Sequence, residues 1–176
     1  DPDAPLLSEG FEGTFPPEGW AVASANAENS VTQYSFYYGS VEGSYAARFS
    51  SYSYASTDDY TQHLMTPQIS LPAGGNHRFK FWYLSFSSSP FVTEVFSVGV
   101  STTDADPASF TYGAEITDAT SAEWKQAEVD LSAYAGQDVY LDIKYTSNYQ
   151  YYVYIDDVTV EPAPTDPVAD ISVDML

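Results

Sequence analysis

With 176 residues, 44% of them hydrophobic and 16% aromatic, the chain is long enough for one domain with a sizeable core and is excluded from the class of acidic disordered tails. Its 25 acidic and 5 basic residues give a formal charge of -20, which argues against nucleic acid and anionic membrane surfaces as partners and favours cations, calcium foremost. There is no cysteine, so neither a disulfide framework nor a thiolate metal site can form, and no run approaches the ~18 consecutive apolar residues of a membrane span.

In chain order, short apolar or alternating runs separated by Ser, Gly, Asp and Pro predict strands, and nowhere does a helical period persist. The start DPDAPLLSEG lacks the basic and apolar parts of a signal peptide, so the chain is expected to be a mature or excised segment. Strands are predicted at WAVASA (Trp20 to Ala25), YAARFS (Tyr45 to Ser50), HLMTPQISL (His63 to Leu71) and RFKFWYLSF (Arg78 to Phe86). Further strands are predicted at TEVFSVGVST (Thr93 to Thr102), WKQAEVDL (Trp124 to Leu131), DVYLDIKYT (Asp138 to Thr146) and YYVYIDDVTV (Tyr151 to Val160). RFKFWYLSF is apolar on both faces, as a central strand would be. LPAGG and YAGQ supply the turn chemistry between runs. Roughly eight short strands with such breaks predict an all-β fold, a β-sandwich of the jelly-roll type with two antiparallel sheets. Residues 1–160 are expected to form this domain, and the Pro-rich stretch from Glu161, followed by ISVDML, a linker and the start of a following domain within 161–176.

The last strand carries an interruption. Val153 and Ile155 share one parity and Val158 and Val160 the other, so the alternation changes phase at Asp156 and Asp157, which is how a β-bulge reads in sequence. Isolated ionised carboxylates are expensive to bury, so the pair is expected to face open water or a cation.

Six segments, SEGFEGTFPPEGW (Ser8 to Trp20), LMTPQISLPAG (Leu64 to Gly74), FWYLSF, EVFSVGVSTT (Glu94 to Thr103), VDLSAYAGQDVYLDI (Val129 to Ile143) and YIDDVTV (Tyr154 to Val160), occur in this order. Together they resemble the bacterial cleaved-adhesin, or choice-of-anchor J, family of jelly-roll modules, related in fold to MAM domains. The resemblance covers most of residues 8–160; the Tyr- and Ser-rich stretch from about Asn26 to Asp59 departs from it. It implies a secreted or cell-surface bacterial module, commonly attached to peptidases or other exoenzymes, with adhesive or ligand-binding roles and bound calcium.

Calcium takes six to eight oxygens in a flexible shell. If the first and last strands are neighbours, Glu12 and Glu9 near the start and Asp156 and Asp157 near the end can converge on a structural ion that ties both ends of the domain together. The alternative is two solvent-facing aspartates closing a strand. DADPASFTYGAE (Asp104 to Glu115) is rejected as an EF-hand, because Ser109 stands where the loop glycine belongs and no helices flank it. Two histidines, His63 and His77, read as surface residues, and without a GxSxG elbow or zinc-ligand spacing no catalytic centre is expected.

The chain has 16 tyrosines, many in polar company. An exposed Tyr offers a flat apolar face and a hydroxyl, which suits sugar rings and protein surfaces alike. Tyr37, Tyr38, Tyr52, Tyr54, Tyr149 and Tyr151 are the candidate ligand contacts; the alternative is that tyrosines merely cover outer strand faces. The expected function is a non-catalytic, calcium-stabilised adhesive module whose partner is a glycan or protein on a cell or matrix surface. The competing reading is an accessory structural domain beside other domains of the same polypeptide, with no ligand beyond calcium.

Overall fold

The computed structural model describes residues 1–35, 40–52, 59–86, 90–91, 93–119 and 122–164. Among the described residues thirteen strands form two antiparallel sheets, as the alternation predicts. The first sheet runs β11 (Lys125–Asp130), β7 (His77–Phe86), β13 (Tyr152–Pro162), β4 (Tyr45–Ser50), β3 (Thr32–Ser35), with β1 (Leu7–Glu9) also on β13. The second runs β10 (Ile116–Ala119), β8 (Thr93–Ser101), β12 (Asp138–Tyr145), β5 (Gln62–Met65), β2 (Ala21–Ser24), with β6 (Ile69–Ser70) on β12 and β9 (Thr111–Tyr112) on β8. Helical residues among those described are three short 3-10 turns, and no helix is long and apolar enough to cross a membrane.

Strand β13 organises the first sheet. One side pairs with β7 along its length, while the other pairs first with β4 at Tyr152 to Ile155 and then with β1 at Val158 to Val160. The register against β7 shifts between Asp156 and Thr159, so the predicted bulge is present where the two neighbours on that side meet. Its extra residue has a clear use. Val153, Ile155, Val158 and Val160 are all 0% exposed in one core, which two unbroken parities could not achieve. Each such side chain contributes roughly 1.5–3 kcal/mol of burial.

The core lies between the sheets, with Phe49, Phe79, Phe81, Phe96, Leu141 and Ile143 at its centre. The central strand RFKFWYLSF does work on both faces: Phe79 and Phe81 enter that core, whereas Leu84 joins Ala46 and Tyr154 in a smaller cluster flanked by Phe86, Trp124 and Tyr152. HLMTPQISL is two strands, because Pro67 has no N–H to offer the ladder; Thr66 there donates its N–H to the Leu141 carbonyl and accepts the Leu141 N–H on its hydroxyl. Strand β13 continues to Pro162, two residues past the expected boundary, with Glu161 opposite Arg78 and paired with it. Residues 165–176, most of the expected linker, lie outside the described residues.

Candidate functional site

Two features gather the residues singled out in the sequence. The first sits at the bulge. Asp157 has φ 47°, and Asp156, fully buried, accepts on Oδ2 the N–H groups of Val41 (2.8 Å) and Glu42 (3.0 Å) and on Oδ1 that of Asp157 (2.7 Å). Burial pushes its pKa up to about 6 against the pull of these three donors. Water or a cation was the expected compensation for this aspartate; backbone N–H groups fill that role in the structure, because the turn before β4 folds over the bulge.

Glu12 grips the other side of the same turn. Its Oε1 accepts the N–H groups of Ser44 (2.9 Å) and Tyr45 (2.8 Å). Gly43 sits at φ 61°, where an L side chain is strained, and a Cβ there, 2.2 Å from the Glu12 carboxyl carbon, would push that carboxylate off the two N–H groups. Glu9 instead accepts the Phe11 N–H at 2.6 Å, with Phe11 at φ 58°. The structure thus brings Glu12 and Asp156 onto one turn, leaves Asp157 partly exposed, and engages Glu9 locally. Glu42 belongs here too and was missed: a Cβ on Gly10 would lie 3.3 Å from its Oε2 and 4.0 Å from Asp156 Oδ1, so the two carboxylates flank one small space. Among the described residues, no group of three or more His, Cys, Asp or Glu side chains is gathered as a metal cage.

The second feature is aromatic. Tyr37, Tyr38 and Tyr54 lie outside the described residues. Tyr52, Tyr149 and Tyr151 converge with Phe91, which sequence reasoning overlooked: ring centroids are 4.9 Å apart for Tyr52 and Tyr151, 5.2 Å for Phe91 and Tyr149, and 6.0 Å for Phe91 and Tyr151. Together with Gln150 they line a hollow of about 30 Å³, which is room for a hydroxyl or a water and not for a ring. A ligand here would lie across the rings. From Tyr52 the aromatic path continues through Tyr152 and Tyr154 to Tyr34, with the Arg48 guanidinium 4.2 Å from the Tyr34 ring centre and 4.6 Å from that of Tyr152.

A buried polar network fixes this aromatic end. Glu94, fully buried on β8, accepts the Tyr151 N–H and the Tyr145 hydroxyl, both at 2.8 Å. Ser51 meets the same hydroxyl at 2.8 Å, accepts the Gln150 N–H and donates its own N–H to the Tyr151 carbonyl. Burial raises the Glu94 pKa above the usual carboxylate value and drives that of Tyr145 well up.

The histidines are not surface residues. His63 and His77 are 7% and 6% exposed, and His63 Nδ1 lies 2.6 Å from Asp142 Oδ2, which also accepts the Tyr112 hydroxyl at 2.6 Å. The partner on β12 is remote in sequence and adjacent only through the β5–β12 ladder, so nothing local to His63 could reveal it. Asp104 to Glu115 forms a 3-10 turn and β9.

Residues 11–165 match the MAM domain family (meprin/A5/mu). The chain belongs to this family. A curated relative is hemagglutinin A of Porphyromonas gingivalis, 28% identical over 185 residues that cover 88% of this chain and 7% of the hemagglutinin, so the MAM domain spans a small part of that protein's length. Among solved structures, the K1 cleaved adhesin domain of Lys-gingipain from P. gingivalis W83 superposes with a TM-score of 0.71 at 21% identity, over 90% of this chain and 98% of that one. TmCBM61, solved in complex with β-1,4-galactotriose, superposes at 0.63 with 20% identity, over 88% and 94% of the two chains. The resemblance to cleaved adhesins and MAM domains read from the sequence is borne out, and these likenesses establish the shared fold.

Proposed function

We propose that this MAM domain is a non-catalytic adhesive module of a secreted or cell-surface protein, binding carbohydrate or glycoprotein at the aromatic end. The observation that carries this reading is the convergence of Tyr52, Phe91, Tyr149 and Tyr151 on one patch held by the buried Glu94 and Ser51. Rings already fixed in place lose little conformational freedom when a sugar stacks on them, and neighbouring backbone and amide groups can take its hydroxyls. The likeness to an adhesin domain and to a module solved with galactotriose supports it. The small share of the hemagglutinin matched supports a role within a longer polypeptide, beside other domains.

Calcium is part of the same proposal. Glu42 and Asp156, which flank one small space beside Gly10, would supply hard oxygen donors suited to that ion, with turn carbonyls completing its shell; Glu12 holds the other side of the same turn, and Asp157 and Glu9 stand close by in sequence to add oxygens. The ion would relieve the buried negative charge at Asp156 and lock the turn before β4.

The binding reading is tested on a glycan array with the domain and its Tyr52→Ala and Tyr151→Ala variants. Retained glycans should lose about tenfold in affinity on either change, the scale of one aromatic stacking contact. Equal retention by both variants, or no retained glycan at all, would reject carbohydrate recognition at this end.

A further inference from the structure

Strand β11 ends the first sheet, and among the described residues nothing pairs with its outer side. It carries no proline and no bulge, and its six residues keep an unbroken register against β7. Such an edge is a template for another strand unless something deters it. Beside it, between the sheets, opens a cleft of about 430 Å³ with Val98, Val100, Ile116 and Val129 among its lining and Glu128 and Asp130 on the β11 side.

What this edge accepts can be read from what it already holds. On its paired side, Ala127 and Val129 face Phe81 and Phe79, while Glu128 and Asp130 face Lys80 and Arg78. The alternation Arg-Phe-Lys-Phe therefore meets Asp-Val-Glu-Ala, basic against acidic on the outer face and aromatic against aliphatic on the inner one. The same pattern is wanted on the free side. Apolar residues of an added strand would fall over Val98, Val100 and Ile116, and its cations beside Glu128 and Asp130. At the other end of this seam the chain supplies the cation itself, as Lys125 reaches across to Asp118 on β10.

We propose that the free edge of β11 is a docking site for an extended segment of a partner protein in which Lys or Arg alternates with apolar residues, added to the sheet as a further strand. A second copy of this chain is a poor occupant, because it has 5 basic residues in all and both partners would carry -20. Main-chain hydrogen bonds supply the affinity and the alternating side chains the choice of partner. The site lies at the Arg78 end of β7, whereas the aromatic patch lies at its Phe86 end, where Tyr152 pairs, so neither proposal depends on the other.

The test is a titration of isotope-labelled domain with a capped octapeptide alternating Arg or Lys with Phe or Val, followed by backbone amide shifts. Shifts should concentrate at Lys125 to Asp130 and Thr111 to Ile116. A peptide with Glu at the basic positions should not bind, and one with a central proline, which keeps the charge and breaks the ladder, should bind about tenfold more weakly. Ala114→Trp at the exposed mouth of the cleft should weaken binding about fivefold or more without lowering the melting temperature, and Glu128→Gln, which removes one edge carboxylate and its ion pair with Arg78, should weaken binding of the basic peptide by a similar factor. The proposal is overturned by an absence of shifts at millimolar peptide, by shifts scattered over the acidic surface, by equal affinity of the proline peptide, or by variants that bind as the parent does.

Discussion

Glu94 shows how much a single buried acid can govern. Its carboxyl group touches the Tyr151 backbone and the Tyr145 hydroxyl, and burial raises its pKa. A carboxyl whose pKa is higher folded than unfolded keeps its proton in the folded state where the unfolded chain has lost it. Its contribution to stability is therefore fully present below the ordinary glutamate value and is lost as pH rises through the raised one. Glu94→Gln can still accept the Tyr151 N–H and donate to Tyr145, so it should flatten this slope. Urea midpoints measured from pH 5 to pH 8 should fall less steeply for the variant, and parallel curves would exclude Glu94 as the titrating group. Asp156, also raised, is common to both proteins and drops out of the difference. Nothing near Glu94 in the sequence announces this role. EVFSVGV reads as an alternating strand, and its partners Tyr145 and Tyr151, with Ser51 bonded to Tyr145 behind them, arrive from three other segments. The aspartate pair was legible as a bulge, because a phase change is local; its neighbours Val41 and Glu42 were not, being more than a hundred residues away.

At the level of strands, long alternating runs announced themselves and short edges did not. β7, β8, β12 and β13 were foreseen nearly to their ends, since each buries several side chains on one face. β1, β3, β9 and β10 were missed, having two to four residues each and few buried ones. β9 is held by packing rather than by its own sequence. Tyr112 lies against Gly99 of β8, where a Cβ would stand 2.6 Å from its ring, and from there it reaches Asp142. Gly99→Val should force the ring off the sheet, break the Tyr112 to Asp142 hydrogen bond and cost about 1–3 kcal/mol, read as a lower denaturant midpoint at unchanged slope. An unshifted midpoint would mean that β9 tolerates the displaced ring.

For the domain as a whole, the ion is the main thermodynamic question. A ligand of the folded state at 100 times its dissociation constant adds about 2.7 kcal/mol. For a chain of this length each kcal/mol moves the melting temperature by roughly 2–4 °C, so chelation should lower it by about 5–10 °C. Scanning calorimetry in calcium and in EDTA measures this directly, and Glu12→Gln and Asp156→Asn should abolish the difference. An unchanged midpoint in EDTA would remove the ion from the proposed function.

The pairing of Leu7 with Val160 has a mechanical meaning for the adhesive role proposed above. The chain enters and leaves at the same end of that short ladder: the Leu6 N–H reaches the Val160 carbonyl on one side, and on the other the chain stays on β7 as far as Ala163, whose N–H reaches the Asn76 carbonyl. Tension drawn through the two tails therefore opens the rungs one after another, like a zip, instead of loading them all at once in shear. After three residue pairs β1 is released and the pull arrives at the turn held by Glu12 and Asp156, while β13 stays paired with β7.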